Sequence, residues 1–124
     1  MSSYILVFIG GGLGASLRYL MGMIFTNHLK INYPYGTFII NVLGSFLLGL
    51  ILMSSLSKTG TGLKLNLFLT IGFAGGFTTF STFTYEAINL INQGLILQSF
   101  SYIFLSIIFG MLGIYMGISM AKFI

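Results

Sequence analysis

The chain alternates between long apolar runs and short polar interruptions, and the runs have membrane-crossing length. A helix needs about 20 apolar residues to cross a hydrocarbon core of ~30 Å. Residues 4–25 supply the first run, interrupted only by Arg18. The polar stretch 26–30 predicts a turn, and Pro34 is placed to open the next helix because its fixed φ suits a first helical turn. The second run ends near Leu56, and residues 57–64 read as a short solvated connection. A third run spans residues 65–90. Asn92, Gln93 and Gly94 predict a turn, and residues 100–121 form a fourth run closed by Lys122. The pattern predicts an all-α integral membrane protein, a single four-helix transmembrane domain over residues 1–124 with no linker.

Composition turns that pattern into a constraint on chemistry. Of 124 residues, 56% are hydrophobic and 5% charged, against about a quarter charged in a soluble domain. Lipid must be part of the solvent. There is no cysteine, no Asp, one Glu (Glu86) and one His (His28). Most hydrolytic, acid–base and metal chemistry needs clustered titratable groups and is excluded. The formal charge of +4 rests on Arg18, Lys30, Lys58, Lys64 and Lys122. Scattered cations flank spans and make no stripe for nucleic acid. With four spans, Lys58, Lys64 and Lys122 fall on one side, Lys30 and a snorkelling Arg18 on the other. That bias is weak under the positive-inside rule, so either orientation, or both, is expected. Residues 1–4 lack the basic region of a signal peptide.

Small residues recur at four-residue spacing: Gly10 and Gly14, Ser45 and Gly49, Gly72 and Gly76, Gly113 and Gly117. Such pairs let helix backbones approach closely where no hydrophobic effect drives association. The opening GGGLGA at 10–15 mimics a dinucleotide fingerprint but lacks the acidic residue about 20 positions on, and is rejected.

Four features carry candidate chemistry. Arg18, a charge in an apolar run, is either snorkelling or an anion-attracting group at a vestibule. Asn41 must find partners inside the second span, because lipid supplies none, and Thr37 and Ser45 share its helix face. GGFTTFSTFT at 75–84 consists only of Gly, Phe and hydroxyl residues. Glycine and β-branched threonine both weaken a helix, so a broken helix with carbonyls free for a cation is expected there. Phe80 and Phe83 are spaced to line one side of it. In the fourth span Tyr102 and Ser106 share a face that Gly110 continues, read either as a hydroxyl track or as interhelical glue.

These residues resemble the Fluc (CrcB) fluoride channels over essentially the whole chain. The resemblance rests on GGLGASLRY at 11–19, GTFIINVLGSF at 36–46 and GFAGGFTTFSTF at 72–83, the last followed by Glu86. It implies a bacterial inner-membrane, multi-pass protein that exports fluoride down its electrochemical gradient. It further implies an antiparallel, dual-topology homodimer with two pores and a third helix broken near mid-membrane. A structural sodium ion would lie at the dimer centre, held by the carbonyls of Gly75 and Thr78, with no organic cofactor. The implied pore residues are Asn41, Phe80, Phe83, Thr37, Ser81, Thr82, Tyr102 and Ser106, with Arg18 and Glu86 at a vestibule. A further track hydroxyl is expected one turn beyond Ser106, where Gly110 stands. The chemistry is compatible: an anion stripped of water needs donors, which Asn41 and hydroxyls supply, and phenyl edges are electropositive. A dimeric multidrug exporter would need a carboxylate in the first span, which is absent. A non-transporting assembly protein would leave the Gly–Thr–Phe cluster without a purpose.

Overall fold

The computed structural model describes residues 2–29, 33–54 and 60–124. Helix α1 is Ser3–Leu29, α2 is Tyr35–Met53, and α6 is Ile96–Ala121. Between α2 and α6 the third apolar run is built from several pieces. These are α3 (Thr61–Leu67), a π-helical segment (Phe68–Ala74), α4 (Gly75–Phe77) and α5 (Ser81–Asn92). Helical winding stops after Phe77, and Thr78 is extended at φ −81° and ψ 158°. No strand occurs among the described residues. The four stretches Ser3–Leu29, Tyr35–Met53, Thr61–Asn92 and Ile96–Ala121 are each long and apolar enough to cross a membrane.

Two glycine seams hold the bundle. A Cβ at Gly10 of α1 would stand 2.5 Å from the Phe68 carbonyl oxygen, Gly14 meets the Phe73 carbonyl, and Gly76 of α4 meets the Gly11 carbonyl. On the other side, Gly117 of α6 lies against the Phe46 carbonyl of α2, and Gly49 of α2 against the Ile114 carbonyl. The small-residue pairs of the first and third runs therefore face each other, as do those of the second and fourth. Backbone contact replaces side-chain interdigitation, as helix association in lipid requires. A small core of Ala87, Leu90 and Tyr102 joins α5 to α6, and the Ser99 hydroxyl donates to the Ala87 carbonyl at 2.7 Å. Outward-facing Tyr4, Phe8, Leu97 and Met111 are exposed, as apolar side chains in contact with lipid would be.

The element boundaries differ from the expected ones where polar residues stay helical. Residues 26–29 continue α1 instead of turning, with the Thr26 hydroxyl donating back to the Gly22 carbonyl at 2.8 Å. Half of the expected connection before the third run is helical too: Gly60, at φ +54°, leads directly into α3. Pro34 precedes the first residue of α2, and its carbonyl accepts from the Phe38 amide. The expected turn at Gln93 and Gly94 is present, with Gly94 at φ +78°. Lys30 and Lys58, on which the charge bias partly depends, lie outside the described residues.

Candidate functional site

The interruption between α4 and α5 is where the sequence gathers glycine and threonine, and two side chains from other helices meet it. Asn41 of α2 grips the Thr79 peptide from both ends. Its Nδ2 donates to the Thr79 carbonyl at 2.9 Å, and its Oδ1 accepts from the Thr79 amide at 2.8 Å. An amide side chain has both functions in one plane, so it can replace a missing helical turn for one residue. Arg18 of α1 donates through Nε to the Gly76 carbonyl at 3.1 Å. The guanidinium thus covers the open carbonyl end of α4, where a cation is electrostatically favoured.

This clamp leaves other carbonyls without their helical donors. In an unbroken helix the Thr79 amide would bond Gly75, but it is engaged by Asn41. The Thr82 amide would bond Thr78, but it donates to the Thr79 hydroxyl oxygen at 3.2 Å. Thr78 itself closes the α4 end, with both its amide and its hydroxyl donating to the Ala74 carbonyl. Gly75 is exposed in the single chain. Carbonyl oxygens released in this way suit a hard monovalent cation, and the donor set at Gly75 and Thr78 fits one. Among the described residues no cluster of His, Cys, Asp or Glu offers a different kind of metal site.

A second constellation surrounds the lone carboxylate. Thr37 of α2 donates to Glu86 Oε1 at 2.8 Å, and Tyr102 of α6 donates to Oε2 at 2.8 Å. Tyr102 is fully enclosed, at 0% exposure. Each hydroxyl has one hydrogen, and in this arrangement Glu86 takes both. Donors left with hydrogen to spare include the second Asn41 amide hydrogen and the hydroxyls of Thr79 and Ser106. The Ser106 Oγ is buried with no hydrogen-bond partner among the described residues. An orphaned hydroxyl in a protein interior is costly unless something visits it.

The rings form a short row of tilted contacts beside these donors. Phe80 and Phe83 have centroids 5.9 Å apart, and Phe83 lies 5.1 Å from Tyr102. Phe83 is half-buried, whereas Phe80 is 77% exposed on the single chain.

Three cavities share these residues as walls. One of about 610 Å³ reaches Thr37 and Glu86 from the side of Tyr33, Pro34 and Gln93. A second, about 410 Å³, is lined by Arg18, Thr37, Thr79, Thr82 and Glu86. A third, about 360 Å³, is lined by Asn41, Thr79, Phe80, Phe83, Ser106 and both carbonyl residues, Gly75 and Thr78. Thr37 and Glu86 border the first two, and Thr79 borders the second and third.

Of the site residues singled out from sequence, the enclosed Tyr102 lines none of these spaces, and neither does Ser81. Ser81 is exposed, and its carbonyl accepts from the Thr84 hydroxyl at 3.0 Å. Thr79 was missed. Its peptide is what Asn41 holds, and its hydroxyl starts α5, but a backbone group leaves no mark in a sequence beyond the need of Asn41 for some partner.

The chain is similar to known proteins over nearly its whole length. The profile of the family described as CrcB-like protein, Camphor Resistance (CrcB), matches residues 5–118. The fluoride-specific ion channel FluC 2 of Clostridium acetobutylicum is 47% identical over 114 residues, covering 92% of this chain and 93% of its own. The fluoride-specific ion channel FluC of Phocaeicola vulgatus is 42% identical over 122 residues, 98% of this chain and 100% of its own. FluC of Gloeothece citriformis is 41% identical over 122 residues, covering 98% of both chains. With four helices able to span a bilayer, the chain is a multi-pass membrane protein.

Proposed function

The chain belongs to the CrcB family, and from that premise we propose that it is a fluoride-selective ion channel, letting fluoride leave the cell down its electrochemical gradient. The observation that carries the reading is the Asn41 clamp on Thr79, which holds the break open between two cavities lined with donors. Fluoride is small and strongly hydrated, so its path must replace water with hydrogen-bond donors. Asn41, Thr79 and Ser106 have hydrogens to give, while Thr37 and Tyr102 give theirs only when Glu86 releases them. Phe80 and Phe83 would meet the ion with electropositive ring edges. Among the described residues no fixed cation lines the cavity bounded by Phe80 and Phe83, which suits conduction, because a permeating ion must also leave. Arg18, tied to the Gly76 carbonyl, raises the local positive potential at the second cavity. Purified protein in liposomes is expected to release fluoride rapidly and chloride not measurably. Equal release of both, or of neither, would overturn the reading.

The same reading includes an antiparallel dual-topology homodimer with two pores, and an interruption of the third helix near mid-membrane. A sodium ion at its centre would be held by the Gly75 and Thr78 carbonyls, the two groups whose helical donors are taken. Bound there, it would supply positive charge that locks the interrupted helices together. A density map of the purified protein in sodium tests both points. A parallel pair, or no cation density between the Gly75 and Thr78 carbonyls, would refute that part.

A further inference from the structure

On α6 the residues at one face step from Tyr102 to Ser106 to Gly110, and the polar series stops at glycine. The space there is not blank. A Cβ at position 110 would find one atom outside its own helix backbone within 4 Å, the Ser45 hydroxyl oxygen at 3.8 Å. Ser45 belongs to α2, one helical turn beyond Asn41, on the same face. It lines the cavity of about 360 Å³ together with Asn41, Ser106 and Gly110.

Two further facts bear on what this hydroxyl does. Thr70 and Thr78, which line the same cavity, each donate back to a carbonyl of their own helix, at 2.8 and 2.9 Å. Ser45 makes no such bond among the described residues. Nor does the neighbouring Ser106, whose oxygen is buried and unpartnered. The cavity therefore has two serine hydroxyls with free hydrogens on opposing helices, Ser106 on α6 and Ser45 on α2, and Ser45 stands at the level of Gly110, where α6 has none.

We infer that Ser45 supplies the hydroxyl that position 110 lacks, so that the anion's row of donors crosses from α6 to α2 beyond Ser106. This rests on the fluoride-channel reading and adds a donor residue to it. Absence of a side chain at 110 is part of the arrangement, since glycine leaves the Ser45 hydroxyl open to the cavity.

The test is a small set of variants whose fluoride efflux is measured in liposomes from protein of wild-type oligomeric state. Ser45→Ala is expected to slow efflux about tenfold, the scale of one lost hydrogen bond to an anion. Ser45→Cys, which fills the same space with a weak donor, is expected to slow it comparably. Adding Gly110→Ser to Ser45→Ala is expected to restore efflux to within about threefold of wild type, a residual difference worth less than one hydrogen bond. Wild-type speed in Ser45→Ala overturns the inference. So does recovery in Ser45→Cys, which would mark a packing role, or failure of the double variant to recover. If Ser45→Ala does not assemble, Ser45→Cys decides alone: slowed efflux supports the inference, and wild-type efflux overturns it. Loss of fluoride release from the wild type itself is a separate result and defeats the channel reading, not this step alone.

Discussion

Replacing Phe80 or Phe83 by Ile is expected to cut fluoride efflux more than tenfold while the protein still purifies in its native oligomeric state, a loss on the scale of a hydrogen bond to an anion. Isoleucine keeps an apolar side chain and removes the electropositive ring edge. Phe80 is largely exposed on the single chain, so its replacement forfeits little packing within it. Phe83 touches both Phe80 and Tyr102, and its loss costs about 1–2 kcal/mol of packing, too little to unfold the bundle. A packing role predicts the reverse outcome, with weaker assembly and unchanged flux per surviving oligomer. Phe68 and Phe104 are controls of the same chemistry outside the motif. Should Ile at 80 and 83 behave as Ile does at 68 and 104, the rings are filler and the pore assignment fails.

The second large effect is expected at Asn41. Asn41→Leu preserves bulk but strips the Thr79 peptide of both partners. Leaving two such groups unpaired costs about 2–6 kcal/mol, which the chain can lower by letting the Thr79 amide return to the Gly75 carbonyl. α4 would then lengthen, and the carbonyl proposed for sodium would be recaptured. Fluoride efflux should become undetectable, and thermal unfolding in detergent should occur at a lower temperature. Asn41→Asp keeps the acceptor for the Thr79 amide but turns a carboxylate toward the Thr79 carbonyl, so it should rescue neither property. Wild-type conduction and stability in Asn41→Leu would show that the clamp is incidental.

The four apolar runs were legible because stretches of about twenty residues with at most one charge have few soluble uses. The ends were less so. Thr26, Asn27 and His28 look like a turn by composition, yet α1 runs through them, because a helix leaving an apolar layer can continue with polar residues on every side. The small-residue pairs announced close helix contacts but not which pair meets which, since spacing along one helix says nothing about the partner. At the site, the need of Asn41 for a partner could be read, and the identity of Thr79 could not. Glu86 was placed at a vestibule by resemblance, but its engagement by both Thr37 and Tyr102 depends on how α2, α5 and α6 meet. The π-helical segment Phe68–Ala74 had no sequence signal beyond its position before the glycines. Wider winding of this kind is common near functional sites, and here it leads directly into the interruption.

The glycine seams also set an order of events for a chain emerging from the ribosome. α1 closes on the π-helical segment and α4, not on its neighbour α2, and α2 closes on α6. The pairing is interleaved, so every seam spans an intervening helix and none is a simple hairpin. Long sequence separation slows the search for native contacts. The glycine faces of the first two helices therefore lack their seam partners in the bilayer until later segments arrive. Closure of the α2 seam needs Gly113 and Gly117, which lie on α6 and so enter the membrane after the other three spans.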